Sequence, residues 1–115
     1  MTRPVVHFQI RARDPKRLEE FYRQLFGWKI GSSAAGVAFI EPGIGGPEQG
    51  VGGSIAQADQ PGVAVFVQVV DLHETLRRAE ELGGRAVVQP FDVPEGPTVA
   101  QCADPEGNLV GLVKQ

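Results

Sequence analysis

The residues with the most chemical reach lie at alternate positions near the start of the chain: His7, Gln9 and Arg11. A β-strand turns alternate side chains to one face, so these three share a face. A neutral imidazole takes or gives a proton near pH 7. A glutamine amide both donates and accepts, and so orients a ligand. As a general base, His7 would need a substrate proton within hydrogen-bond reach. The carboxylates Glu41 and Glu48 lie at the end of a strand and in the loop that follows. Either of them, with His7, would offer donors to a divalent cation. The other histidine, His73, falls in the first turn of a helix and reads as solvent-facing. Cys102 is the single cysteine. It makes no intrachain disulfide and no thiolate zinc site by itself, and it reads as a small buried hydrophobe. The glycine clusters Gly43-Ile44-Gly45-Gly46 and Gly50-Val51-Gly52-Gly53 are not followed by Lys-Ser/Thr or by a helix, so they are not phosphate loops.

These residues need elements to position them. Val6, Phe8 and Ile10 alternate with His7, Gln9 and Arg11, which predicts a half-buried strand. Asp14-Pro15 reads as a cap with proline at the first helical position. Leu18, Phe21, Tyr22 and Leu25 recur at helical spacing, and Gly27 stops the helix. Strands are expected at Trp28–Ile30, Val37–Glu41 and Val51–Gln57, with a loop from Pro42 to Gly50. The second half starts again at Gly62 with alternating Val63, Val65, Val67 and Val69. Asp71 caps a helix with the stripe Leu72, Leu76, Ala79 and Leu82, which Gly83-Gly84 ends. Strands follow at Arg85–Gln89, Thr98–Ala103 and Leu109–Lys114, with a loop from Pro90 to Pro97. Asp104-Pro105-Glu106-Gly107-Asn108 is a turn sequence.

The halves repeat. A shift of 57 residues pairs Phe8 with Val65, Asp14 with Asp71, Leu25 with Leu82, Gly27 with Gly84 and Gly50 with Gly107. The matches fall on caps, stops and core positions, which argues for an internal duplication. Each copy reads β-α-β-β-β, and neither is comfortable alone at about 55 residues.

The 115 residues suit one domain, with 15 Gly and 9 Pro punctuating an ordinary globular composition. Eleven Lys and Arg against 14 Asp and Glu leave a net charge of −3. That excludes the basic footprint of a nucleic-acid binder. No apolar run reaches the roughly 18 residues of a membrane span, and the N-terminus lacks a signal-peptide pattern. A cytoplasmic setting is the expectation.

Taken together, Val6-His7-Phe8-Gln9-Ile10, Asp14-Pro15, Phe21-Tyr22, Leu25-Phe26-Gly27-Trp28, Val69-Val70-Asp71-Leu72, Leu82-Gly83-Gly84 and Asp104-Pro105-Glu106-Gly107-Asn108 resemble the vicinal oxygen chelate superfamily. That superfamily includes glyoxalase I, bleomycin-resistance proteins and extradiol dioxygenases. The resemblance spans essentially the whole chain. It implies an α+β fold in which two βαβββ modules form an open cup-shaped mixed sheet with helices on the outer side. One glyoxalase-like domain would then fill 1–115, with module 1 at about 1–58 and module 2 at about 59–115. The family's metal ligands carry over to His7, its repeat partner Ala64, Gly111 after the DPEGN turn, and Ser54. Only His7 is a competent ligand, whereas a catalytic metal site normally needs three.

The expectation is therefore a small-molecule-binding protein without the usual metal triad and with no cofactor. Its cup would be lined by His7, Gln9, Phe66, Gln68, Trp28 and Ser54, with His7 the best catalytic candidate. The alternative is a lyase or dioxygenase of the glyoxalase or dioxygenase kind, its divalent metal held by His7 with Glu41 or Glu48. A third reading is an accessory domain with a vestigial cup. The partners implied are a small-molecule ligand and a second copy in a homodimer, with no nucleic acid and no membrane.

Overall fold

The computed structural model describes residues 2–32, 37–41, 50–94 and 96–114. The elements run β1 (Val5–Ala12), α1 (Pro15–Phe26), β2 (Ile30–Ser32), β3 (Val37–Ile40), β4 (Gly53–Gln57), β5 (Gly62–Val69), α2 (Leu72–Glu81), β6 (Arg85–Asp92), β7 (Thr98–Ala103) and β8 (Leu109–Lys114). This is an α+β chain in which a β-α-β-β-β sequence occurs twice. No described helix is long and apolar enough to cross a membrane.

The chain forms two compact units, His7–Val63 and Ala64–Gln115 with Met1–Val6. The opening residues join the later unit because the Gln68 N–H donates to the Pro4 carbonyl at 2.9 Å. In the earlier unit the strand order is β2-β3-β4-β1, with β1 and β4 parallel and the other pairs antiparallel. In the later unit the order is β5-β8-β7-β6, again with the first and last strands parallel.

The helix ends follow their sequence signals. The Asp14 carboxylate accepts the Arg17 N–H at 3.3 Å, and Asp71 accepts the Glu74 N–H at 3.0 Å. Each satisfies a donor that the first helical turn leaves open. Gly27 takes φ +71° and returns its N–H to the Arg23 carbonyl at 2.9 Å. A side chain would strain that left-handed conformation.

In the earlier unit, Ile10, Ala12, Ala38, Ile40 and Ile55 form the core, with Phe8, Leu18, Tyr22, Trp28 and Ile30 packed against it. In the later unit, Val69, Leu72, Leu76, Ala100 and Leu112 do so, joined by Val67, Ala86 and Cys102. Cys102 is thus a half-buried core thiol, and burial pushes its pKa up. His73 is exposed.

Four elements differ from the sequence expectation. Helix α1 lays Leu18 and Tyr22 on the sheet, whereas Phe21 and Leu25 are 54% and 57% exposed. The Tyr22 ring stacks on Trp28 with centroids 5.0 Å apart, on the side of the helix that packs on the core. Trp28 precedes β2, which begins at Ile30 rather than Trp28. Strand β6 continues through Pro90 to Asp92. It lies at the end of its strand order, and its register against β7 shifts twice, between Ala86 and Val88 and between Val88 and Phe91. An edge strand with irregular register is where a proline, lacking an N–H, is tolerated. Strand β4 begins at Gly53 rather than Val51.

Candidate functional site

In β1, Phe8, Ile10 and Ala12 turn to the α1 side, so alternation sends His7, Gln9 and Arg11 to the opposite face. The parallel register places Gln9 beside Ser54, and β3 places Phe39 on the far side of Ser54. Gln9, Ser54 and Phe39 thus form one row across three strands, with His7 one step along. Ser54 is 3% exposed and Phe39 is 46% exposed.

A hydrogen bond links His7 to this row. His7 Nε2 and Ser54 Oγ share a hydrogen bond of 2.9 Å, its donor set by the imidazole tautomer. Burial lowers the His7 pKa from 6.5, so the ring is neutral at pH 7. A neutral ring beside a hydroxyl and an amide can hold a ligand oxygen and accept one proton. Ser54 itself is too buried to present a free nucleophile.

The other sequence candidates fall elsewhere. Trp28 packs on the helix side, against Phe8 at 5.7 Å and Tyr22, and does not share the face of His7. Phe66 and Gln68 belong to the later unit. There Phe66 is 6% exposed and lies over Gly111, its register partner on β8. Glu41 is exposed just beyond β3, and its N–H donates to the Lys29 carbonyl at 3.0 Å. Glu48 lies outside the described residues.

This donor set fits a metal poorly. A Cβ at Gly111 would meet the Phe66 ring at 2.5 Å, so an aromatic ring fills the space a ligating side chain would need there. Ala64 has no donor, and Ser54 is engaged with His7. Among the described residues no three His, Cys, Asp or Glu side chains come together.

Besides His7 and Gln9, the structure brings Phe39 and Arg11 to this face. Phe39 joins the row through the β3–β4 register, which sequence does not reveal. Arg11 was signalled by the same alternation that selected His7 and Gln9.

The comparisons with known proteins agree with this architecture. A family model described as a glyoxalase-like domain matches residues 7–113. A glyoxylase-like domain-containing protein of Didymella fabae is 29% identical over 108 residues, covering 87% of this chain and 84% of that protein. A glyoxalase/bleomycin resistance protein/dioxygenase superfamily member from Vibrio splendidus 12B01 superimposes with a TM-score of 0.67 at 14% identity, over 99% of this chain and 100% of that one. The Mn(II)-bound glyoxalase from Novosphingobium aromaticivorans gives a TM-score of 0.66 at 18% identity, over 98% of this chain and 40% of that one. At such identities the solved structures establish the fold alone.

Proposed function

Because the chain belongs to the glyoxalase-like domain family of the vicinal oxygen chelate superfamily, we propose that it binds a small, partly apolar molecule without the family's metal triad. The observation that carries this reading is the row of His7, Gln9, Ser54 and Phe39 on one sheet face. Three neutral polar groups beside an exposed aromatic ring match the pattern of small-molecule sites, mostly apolar with a few placed polar groups. If a reaction is catalysed, His7 is the group that moves the proton.

A second reading is a metal-dependent lyase or dioxygenase. The Mn(II) in the Novosphingobium glyoxalase favours it. His7 with Glu41 or Glu48 would then hold a divalent cation, which would supply Lewis-acid polarisation of substrate oxygens. The protein would act in the cytoplasm, where a single unpaired cysteine is in keeping with reducing conditions, and as a homodimer.

Metal analysis of protein purified without chelator separates the two readings. The binding reading expects well under one equivalent of any divalent metal and no thermal stabilisation on adding one. Near one equivalent of metal, lost in His7→Ala, would overturn it.

A further inference from the structure

The face that carries His7 and Gln9 also carries a half-buried guanidinium with one unsatisfied nitrogen. Arg11 Nη1 is buried without a hydrogen-bond partner. Its neighbour in sequence behaves differently, since Arg13 Nε donates to the Asp59 carbonyl at 2.9 Å. Arg23, Arg77 and Arg78 pair with carboxylates on their own helices. Among the described residues no carboxylate pairs with Arg11.

The surroundings of Arg11 are small. Its register partner on β4 is Ala56, and its guanidinium lies against Gly62, where any Cβ would collide with it. Arg11 thus occupies room that two minimal side chains leave open, with no acceptor supplied by those neighbours. A buried cationic donor without an acceptor is unfavourable, and an anionic acceptor relieves it. A carboxylate matches the guanidinium fork with two parallel hydrogen bonds.

We propose that Arg11 anchors a carboxylate on the ligand whose other polar group lies at His7, Gln9 and Ser54. This inference rests on the binding reading above and adds to it the substrate class. Strand residues two apart are separated by about 6.6 Å. The ligand is then a small organic acid with a second hydrogen-bonding group about one such step, or two, from its carboxylate.

The test uses 4-hydroxybenzoate and its neutral counterpart 4-hydroxybenzamide as probes. Nuclear magnetic resonance follows the Arg11 Nε–Hε signal and the His7 ring during titration of the full chain. The acid shifts both signals saturably, and the amide binds about tenfold more weakly or worse. In Arg11→Gln the acid binds no better than the amide. Arg11→Lys, which keeps the charge without the fork, falls between and guards against a folding defect in the glutamine variant. The inference is overturned if the acid saturates the His7 shift while Arg11 stays unmoved, or if Arg11→Gln binds the acid as tightly as the wild type. In either case the His7 reading survives. If Arg11 responds to the acid and His7 responds to neither probe, the His7 reading falls instead. If neither residue responds to either probe, both fall.

Discussion

Burial holds the His7 imidazole below its ordinary pKa of 6.5, and this has a consequence for stability. Above pH 6.5 the ring is neutral in both folded and unfolded chains, so it contributes no pH dependence. As the pH falls through 6.5 the unfolded chain takes up a proton that the folded chain refuses, and stability is lost until the lowered folded pKa is reached. Urea unfolding at pH 7.5 and pH 5.5 should therefore show a loss for the wild type that is smaller in His7→Gln. An equal loss in both would remove His7 as its source. At this scale much of the site was legible. Alternation alone put His7, Gln9 and Arg11 on one face. It could not show that Ser54 sits 2.9 Å from His7, because that contact depends on the pairing of β1 with β4 across 47 residues of chain. Nor could it show that Arg11 Nη1 is left without an acceptor, since that depends on what Ala56 and Gly62 do not supply.

Between the parallel strands β5 and β8, Phe66 lies on Gly111. A glycine there is a packing requirement, since any side chain must displace the ring. Gly111→Ala should cost about 1–3 kcal/mol by overpacking. Phe66→Leu should recover part of that loss when combined with it, as a double-mutant cycle in urea would show. An additive pair would mean the contact does not govern the site. Gly53 plays the same part under Phe8 in the earlier unit. The helix caps and the glycine stops could be read directly, because they are local. The roll of α1 could not. Leu18, Phe21, Tyr22 and Leu25 all fit a helical stripe, and only packing on the sheet core and on Trp28 distinguishes Leu18 and Tyr22 from the exposed Phe21 and Leu25. The prolines of Pro90 to Pro97 read as loop, but an edge strand has no partner on one side that would need an N–H at Pro90.

For the whole molecule, the exposed apolar side chains invite a partner. Phe21, Leu25 and Phe26 of α1 are each more than half exposed, and clustered apolar exposure of this kind marks association surfaces. Sedimentation equilibrium should give twice the 12.3 kDa chain mass, and Phe21→Ser with Leu25→Ser should shift the population toward monomer if α1 takes part. A monomer at all concentrations would overturn the dimer. The net charge of −3 supplies no general attraction for an acidic ligand. Recruitment of an organic acid would then fall to Arg11 alone and weaken little with salt, because a partly buried pair is poorly screened.

The sequence by itself determined the repeated β-α-β-β-β order, the caps, the turn after β7 and the family. These rest on periodicity and on residues with special backbone behaviour, which act over a few positions. The tertiary structure alone decided which groups meet: His7 with Ser54, Phe66 with Gly111, Trp28 with Tyr22, and, among the described residues, Arg11 Nη1 with no acceptor. Such contacts join residues from strands and helices far apart in the chain. Their geometry depends on strand register and helix roll, which short-range periodicity does not encode.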